Sequence, residues 1–278
     1  MIRKVSNFFW QSIFKISPIR DRLAFQVKHR CLSELRLNIP LGYDVCVPWF
    51  DPEIGSSFIE IFLEQEYSGM FQFMKPPARW IDLGAFAGFF SAWLLWTRNR
   101  LKLNGSPCEA LLIDADEKRA PFIEDFLRLN NLSETFHFRH GSIAAGTGTS
   151  KFVHTPYMRS ALASIAGPIG QSFDVPILTA SEIMSTFQPP YDLIKVDIEG
   201  AEYELLQNYP DLLSHCEYLL LEWHSWHSGG GGKGQIEALA AAEVGFCRVA
   251  ELQPAREVAA GQTGVILFRR TEPSPSME

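Results

Sequence analysis

The sequence has few cysteines and no excess of basic residues. Its 278 residues include five cysteines with irregular spacing and no C-x-x-C pair. An odd, scattered set of cysteines argues against a disulfide framework or a zinc site, so we expect a cytoplasmic protein with reduced thiols. The formal net charge is −7 and the pI is near 5.6. We therefore expect no nucleic-acid partner, because neutralising phosphates requires a basic surface.

Long apolar runs are also missing. No stretch approaches the ~18 consecutive apolar residues of a membrane-spanning helix, and the N-terminal region lacks the apolar core and cleavage site of a signal peptide. Residues 1–20 mix large apolar side chains with lysine and arginine. They predict a helix packed on this protein or on a partner subunit in a homo-oligomer, which we favour over a helix lying on a membrane surface.

Two nucleotide-binding motifs are absent. The turn in "WIDLGAFAGFFS" (80–91) has Phe86 where the dinucleotide fingerprint G-x-G-x-x-G requires its second glycine. The stretch "HSGGGGKG" (227–234) has Gly234 where a phosphate loop requires serine or threonine. We interpret the second stretch as a flexible loop.

One spacing favours a dehydrogenase. Tyr191 and Lys195 match the Y-x-x-x-K spacing of short-chain dehydrogenases. That spacing brings two side chains together on a helix, whereas Lys195 lies in a predicted strand, where we expect the two residues to point differently. A nicotinamide-dependent oxidoreductase is therefore an alternative function and not the preferred one.

Strands and helices alternate from Trp80 onwards. The predicted strands contain "RWIDLG", "EALLIDAD", "TFHFRHGS", "YDLIKVD", "EYLLLEWH" and "GVILFRR", with helical patterns between them. This alternation predicts an α/β fold with a mostly parallel sheet covered on both faces. The stretch 144–180 fits less well and predicts either a hairpin or a loop over the site.

Breaks in the pattern predict three parts of the chain. The motif "KPPAR" interrupts the chain just before the first strand, and the end of the sequence is polar and rich in proline and serine. We predict an N-terminal helical and β extension over 1–75, a main domain over 76–270 and a flexible tail over 271–278.

The glycine turn after the first strand is typical of a nucleoside site. Gly84 and Gly88 can adopt positive φ and allow a ligand to approach the backbone. Asp114 ends the next strand, 30 residues after Gly84. A carboxylate at that strand end accepts hydrogen bonds from ribose hydroxyls, so the combination predicts a nucleoside-binding half of the sheet.

The motifs "WIDLGAFAGFFS", "LLIDAD", "HGS", "YDLIKVDIEGAEYELL" and "LLLEWH" together resemble the FkbM family of S-adenosylmethionine-dependent methyltransferases. The resemblance implies a class I, Rossmann-like methyltransferase sandwich of seven strands, the last of them antiparallel. It also implies O-methyl transfer to a hydroxyl of a small molecule or glycan, with S-adenosylmethionine as cofactor. The residues that it implies for the cofactor site are Asp82, Gly84, Ala85, Gly88, Asp114 near the ribose, Ser142 near the adenine, and Asp197.

The stretch "DLIKVDIEGAEYELL" (192–206) places charges where a buried strand ends. Strand alternation puts Lys195 and Asp197 on one face, where each offsets part of the cost of burying the other. We predict Asp197 as the catalytic base or substrate anchor, with Lys195 beside it. If the next helix begins near Glu199, then Glu199 and Glu202 share a face and are candidates for substrate binding. Favourable electrostatics at a helix start would equally explain Glu202.

His224 follows the next strand and is a second candidate base. Glu222 and His224 lie on one face of that strand, and a neutral histidine accepts protons near pH 7. His224, His227 and Asp197 could also hold a divalent metal, but a histidine after a strand is more often structural, so we expect no metal. A third possible function is a non-catalytic binding protein on the same fold.

Overall fold

The computed structural model describes residues 37–49, 54–154, 161–162, 171–226, 231–258 and 261–271. The strands are β1 (Leu37–Gly42), β2 (Val45–Trp49), β3 (Arg79–Leu83), β4 (Glu109–Asp114), β5 (Phe136–His140), β6 (Thr149–His154), β7 (Ala161–Leu162), β8 (Gln171–Pro176), β9 (Tyr191–Val196), β10 (Cys216–His224), β11 (Phe246–Val258) and β12 (Gly261–Arg270). The α-helices are α1 (Gly55–Phe58), α2 (Phe89–Arg100), α3 (Ala120–Leu129), α4 (Ala180–Thr186), α5 (Glu202–Asn208), α6 (Pro210–Ser214) and α7 (Lys233–Val244). The predictions for residues 1–20, for His227 and for the tail after Thr271 lie outside the described residues.

The main sheet has seven strands in the order β11-β12-β10-β9-β3-β4-β5. Neighbouring strands from β10 to β5 are parallel, whereas β12 runs antiparallel to both β10 and β11. The predicted class I methyltransferase sandwich with an antiparallel last strand is therefore confirmed.

Each face of the main sheet is covered by its own apolar cluster. On one face Trp80 and Leu193 pack with α2 and α3, where Phe89 and Phe126 are almost fully buried. On the other face Ile194 packs with α5, α6 and α7. Burial on both faces explains why strands such as "EALLID" and "YDLIKV" are apolar almost throughout.

Strand β11 was not among the strands identified in the sequence. It is a sheet edge whose side chains are mostly exposed or half-buried, and it contains Pro254. Its pairing with β12 shifts register between Arg248 and Ala250, and again before Arg256. Proline and bulges are tolerated at an edge, and they remove the regular alternation that identifies a strand in a sequence.

The stretch 144–180 contains antiparallel strands, so the hairpin alternative describes it. Strand β6 pairs with β8 on one side and with β7 on the other, in a separate three-stranded sheet.

Helix α4 follows this sheet and was not predicted, although Thr179 and Glu182 form a reciprocal capping box at its start. That T-x-x-E spacing is a recognised sign of a helix start.

The described part of the N-terminal extension packs on the main domain. Helix α1 follows the β1–β2 hairpin and leads directly into a π-helical turn (Ile59–Leu63). A 3-10 turn (Ser68–Gln72) comes next. Val47, Tyr67 and Met70 are buried in the same apolar cluster as α2. The boundary near residue 75 remains a prediction.

None of the helices within the described ranges combines the length and apolar character needed to cross a bilayer.

Candidate active site

The site lies where the strand order reverses, between β3 and β9. Strand β3 pairs with β4 on one side and with β9 on the other, all in parallel. The loops that follow β3 and β9 therefore leave the same edge of the sheet, and the amide of Asp197 donates to Leu83 O at 3.0 Å. Ligands of open α/β sheets bind at this kind of switch point.

Gly84 brings the two loops into contact. It has a φ of +75°, and a Cβ added there would lie 1.7 Å from the backbone oxygen of Asp197. Only glycine allows the loops to approach so closely. Gly88 also has a positive φ, but an added Cβ would meet Phe126 of the core, and Gly88 lines neither of the cavities described below.

The ammonium group of Lys195 contacts residues at the ends of both β3 and β9. Its ammonium donates to Gly84 O at 2.9 Å and lies 3.4 Å from Asp82 Oδ1 and 3.5 Å from Asp197 Oδ2. Burial would lower the pKa of Lys195, but Asp197 and Asp82 outweigh it and raise that pKa, so the ammonium stays charged. The predicted pairing of Lys195 with Asp197 is present in the structure.

Asp82 supports this arrangement from inside the core. It is fully buried, its Oδ2 accepts a hydrogen bond from Ser91 at 2.9 Å, and it lines neither cavity. Burial raises its pKa, and Lys195 and Ser91 act in the opposite direction. Asp82 thus positions Lys195 instead of facing a ligand.

Tyr191 and Lys195 do not meet. The hydroxyl of Tyr191 donates to Phe187 O and its ring stacks on that of Phe187, whereas Lys195 extends to Gly84. The expectation that the Y-x-x-x-K spacing is accidental is confirmed.

The first cavity has a volume of about 110 Å³ and runs along the ends of β3, β4 and β9. Its lining residues are Gly84, Phe86, Ile113, Asp114, Ala115, Asp116, Arg119, Gly141, Ser142, Ile143, Phe152, Asp197, Ile198, Glu199 and Ala201. The floor carries Asp114, whose Oδ2 accepts from Phe86 N at 2.6 Å and whose Oδ1 accepts from Asp116 N at 2.8 Å. Burial raises the pKa of Asp114 to about 7, although the two amides oppose that rise.

Other groups in the first cavity were missed or differ from expectation. Ser142 lines it as predicted, but its hydroxyl is already bonded to Ser150 Oγ at 2.7 Å and to Pro176 O at 3.2 Å. Arg119 was missed; it covers the Phe86 ring at 4.3 Å and lies 3.4 Å from Asp116. Asp116 was missed too, although it is the second acid of "LLIDAD".

The second cavity has a volume of about 290 Å³ and lies beneath the N-terminal extension. Its lining residues are Ser56, Ser57, Glu60, Ile61, Glu66, Tyr67, Gly84, Ala85, Phe86, Phe89, Phe90, Lys195, Asp197, Glu199, Glu222, His224, Trp226, Arg256, Val258 and Thr263. It shares Gly84, Phe86, Asp197 and Glu199 with the first cavity. The two cavities therefore meet at the ends of β3 and β9.

Glu66 is the most isolated carboxylate of the second cavity. Its side chain is 4% exposed, Oε1 makes no hydrogen bond to any residue that the structure describes, and Arg256 lies 4.0 Å away. Burial, followed by Glu60 and Asp197, raises the pKa of Glu66 to about 7, while Arg256 and Lys195 lower it. The sequence carried no sign of Glu66 or Arg256, because neither belongs to a motif.

His224 is surrounded by carboxylates. Its Nδ1 lies 2.9 Å from Glu202 Oε1, and its Nε2 lies 4.0 Å from both Asp197 Oδ1 and Glu199 Oε2 and 3.9 Å from Glu222 Oε1. Burial would lower the pKa of His224, but these acids, led by Glu202 and Glu199, outweigh it and raise the pKa to about 10. These carboxylates therefore favour the protonated imidazole over the neutral form that a candidate base requires.

The helix after β9 begins later than predicted, at Glu202 and not near Glu199. Glu199 has a φ of +54° and Gly200 a φ of +102°, so both belong to a left-handed turn. Glu202 Oε1 closes this turn by accepting from Ile198 N at 3.2 Å and Gly200 N at 3.0 Å.

Glu199 and Glu202 consequently face different surroundings. Glu202, a predicted substrate-binding residue, is fully buried and lines neither cavity, and its Oε1 lies 2.9 Å from His224 Nδ1. Glu199 lines both cavities, and burial together with Asp197 and Glu222 raises its pKa to about 8, against the lowering effect of His224.

The groups that line the first cavity fit a nucleoside cofactor. Asp114 uses one lone pair of each oxygen on a backbone amide, which leaves further lone pairs for two vicinal hydroxyls. Ile143, Phe152 and Ile198 provide apolar contacts of the kind that a purine ring requires.

Residues 82–248 match the sequence profile of the methyltransferase FkbM domain. The chain belongs to the FkbM methyltransferase family. The predictions of a methyltransferase and of S-adenosylmethionine as its cofactor are thereby confirmed, and the sequence motifs that suggested them all fall within or at the edge of the matched range.

Several solved structures are similar to the chain at low sequence identity. TrmK of M. capricolum, in complex with S-adenosyl-homocysteine, is 7% identical with a TM-score of 0.45, covering 76% of this chain and 70% of that one. An rRNA methylase from Streptococcus thermophilus is 9% identical with a TM-score of 0.45, covering 76% and 96%. A protein of the NADB-Rossmann superfamily from Streptococcus agalactiae is 13% identical with a TM-score of 0.44, covering 76% and 70%. No curated protein sequence matches the chain.

Proposed function

We propose that this FkbM methyltransferase transfers a methyl group from S-adenosylmethionine to a hydroxyl of a small molecule or glycan. The first cavity holds the donor, the second holds the acceptor, and the reaction takes place between them. The observation that supports this most directly is that Asp197 and Glu199 line both cavities.

The charge of the second cavity favours a hydroxylated acceptor over a nucleic acid. Five carboxylates line it, those of Glu60, Glu66, Asp197, Glu199 and Glu222. These acids outnumber the basic groups of the same lining, Lys195, His224 and Arg256. The lining therefore favours the hydroxyls of a polyol or sugar, which donate hydrogen bonds to carboxylates, over a phosphodiester backbone.

The donor supplies an electrophilic methyl group on a cationic sulfonium. Asp114 would hold the ribose hydroxyls of that donor at the far end of the first cavity. The two backbone amides that donate to Asp114 fix the orientation of its carboxylate. A carboxylate that is already fixed loses less conformational entropy when it binds the ribose.

Asp197 would bind the acceptor hydroxyl and take its proton. One oxygen, Oδ2, faces the Lys195 ammonium, while Oδ1 faces His224 and the second cavity. Lys195 stabilises the carboxylate and, through Asp82 and Gly84 O, fixes it relative to the donor loop. Such alignment matters because methyl displacement requires the reacting atoms about 3–3.5 Å apart and in line. His224 is a neighbouring group here and not the base, because the surrounding acids raise its pKa to about 10.

Two measurements test this proposal. Calorimetry with S-adenosylmethionine, S-adenosyl-homocysteine, NAD and NADP should give binding of the first two only. Incubation with methyl-labelled S-adenosylmethionine and a panel of saccharides and small alcohols or phenols should then label at least one hydroxyl. Binding of NAD alone, or labelling confined to nucleic acid, would contradict the proposal.

A further inference from the structure

The strongest unexplained feature is the crowding of carboxylates around His224. Four of them, those of Asp197, Glu199, Glu202 and Glu222, lie within 4.0 Å of one imidazole ring. A single imidazolium balances only one of these charges. Lys195 and Arg256 approach the group from outside, Lys195 at Asp197 Oδ2 and Arg256 at 3.8 Å from Glu222.

The two nitrogens of His224 differ in their contacts. Nδ1 is 2.9 Å from Glu202 Oε1, a carboxylate that is fully buried and held by two backbone amides. Nε2 makes no hydrogen bond with any of the residues described, although the side chain is 3% exposed, and it points at the second cavity. A histidine that donates from one nitrogen to a carboxylate and presents the other unbonded has the arrangement of a metal ligand with its orienting partner.

Three carboxylates lie within 4.0 Å of Nε2, and a shared cation would explain the distances of two of them, Asp197 and Glu199. The third, Glu222, already accepts a hydrogen bond from Thr263. Donor atoms of Asp197, Glu199 and His224 all lie within 4.8 Å of one another. The two distances from Nε2, to Asp197 Oδ1 and to Glu199 Oε2, are both 4.0 Å, too long for hydrogen bonds. Two ligands that each bind one ion at about 2.1 Å can lie up to about 4.2 Å apart. The group thus needs only small side-chain adjustments to close around one ion.

We propose that Asp197, Glu199 and His224 bind one divalent transition-metal cation, which takes the place of the proton on His224 Nε2, with Glu202 orienting His224. The mixed set of one nitrogen and two oxygens suits Mn²⁺, Fe²⁺ or Zn²⁺ better than Mg²⁺ or Ca²⁺, which prefer oxygen ligands alone. The ligand set differs from the sequence-based alternative of His224, His227 and Asp197, because Glu199 takes the place of His227. A cation there faces the acceptor cavity, where it would bind the acceptor oxygen beside Asp197.

The test uses the full chain, stripped of metal with a chelator and titrated with Mn²⁺ alone, without methyl donor or acceptor. Free Mn²⁺ is followed by its electron paramagnetic resonance signal. We expect one bound Mn²⁺ per chain, displaced by Zn²⁺ at lower concentration than by Mg²⁺. Absence of stoichiometric binding would overturn the proposal, and equal displacement by Mg²⁺ would contradict ligation by His224.

Variants locate the site. Glu199→Gln, whose side chain is 26% exposed and thus safe for folding, and Asp197→Asn should each weaken Mn²⁺ binding by at least about tenfold. Glu202→Gln keeps an oxygen for the two amides and should weaken binding about 10- to 100-fold through the orientation of His224. Asp174→Asn, which removes an exposed carboxylate in the small sheet, is the matched control and should bind like the wild type. Wild-type affinity in Glu199→Gln would overturn the assignment. Since methyl transfer is not measured, failure here is distinct from failure of the proposed function.

Discussion

The two cavities meet at Asp197 but come from different parts of the chain. All lining residues of the first cavity fall between Gly84 and Ala201, inside the FkbM match over 82–248. Nine of the 20 lining residues of the second cavity lie outside that match, in the N-terminal extension and in strands β11 and β12. The matched domain therefore builds the donor side, and segments beyond it complete the proposed acceptor side.

This difference predicts that the two sides can be disabled separately. Substitutions in the first cavity should change donor affinity, and substitutions in the extension should change acceptor use or stability while the donor still binds. Only the shared residues should affect both.

The largest effect is expected at Asp197. Asp197→Ala should lower kcat/KM for an acceptor identified by the labelling panel by about 10²- to 10⁴-fold, because the hydroxyl loses its proton acceptor. Calorimetry should still detect binding of S-adenosyl-homocysteine, with a raised Kd because Asp197 also lines the first cavity. Asp174→Asn serves as the control for removal of a carboxylate, and unchanged methyl transfer in Asp197→Ala would contradict the proposed role.

Asp114 should control the donor side. Asp114→Asn should raise the Kd for S-adenosyl-homocysteine about tenfold or more, since hydrogen bonds to a charged group contribute about 1.5–3 kcal/mol. Glu117→Gln, at an exposed site in the next turn, should leave the Kd unchanged.

The same carboxylate should make donor binding depend on pH. With a pKa of about 7, Asp114 is ionised at pH 8 and largely protonated at pH 6, where it loses its full capacity to accept hydrogen bonds. Affinity for S-adenosyl-homocysteine should therefore fall between pH 8 and pH 6 in the wild type. The Asp114→Asn variant should show a flat profile over that range, and a slope equal to that of the wild type would assign the titration to another group.

Glu66 should influence stability and leave the donor side intact. Its pKa rises from 4.5 to about 7 on folding. A raised carboxyl pKa contributes stability that is present below the unfolded value and lost as pH rises through about 7. The unfolding free energy of the wild type should therefore fall between pH 5 and pH 8. In Glu66→Gln this fall should be smaller by up to about 3 kcal/mol, at 1.36 kcal/mol per pH unit.

Urea unfolding at the two pH values measures this effect. Glu64→Gln, at an exposed position of the same segment, is the control. Binding of S-adenosyl-homocysteine should be equal in wild type and both variants, and a loss of donor affinity in Glu66→Gln would break the separation of the two sides.

The smallest effect is expected away from both cavities. Thr179→Ala removes the capping box of α4 and should cost about 1 kcal/mol of unfolding free energy. Thr179→Ser should restore most of it. Denaturant unfolding measures both, and neither variant should alter donor binding.

The sequence predicted those parts of the site that depend on neighbours along the chain. Asp114, Asp197 and Lys195 stand at the ends of apolar strands, and parallel strands bring such ends together at one edge. The second cavity was not predictable in this way. Glu66 and Arg256 lie far apart in the sequence and meet only because the extension folds over the sheet edge.

The helix after β9 begins later than the sequence predicts, and the reason is local. Glu199 adopts a positive φ, which is uncommon for a residue other than glycine or asparagine, so the residue type gives no sign of it. The turn delays the helix and directs Glu202 inwards to His224. Strand β11 was missed because an exposed edge containing proline lacks an apolar alternation.

The contact between Gly84 and Asp197 O means that the glycine turn sets the distance between the proposed donor and acceptor sites, in addition to lining the donor site. A methyl group added at Gly84 would collide with the backbone that carries Asp197, so Gly84→Ala would displace the acceptor-binding carboxylate without touching the acceptor. The substitution would therefore act first on the alignment of the reacting groups.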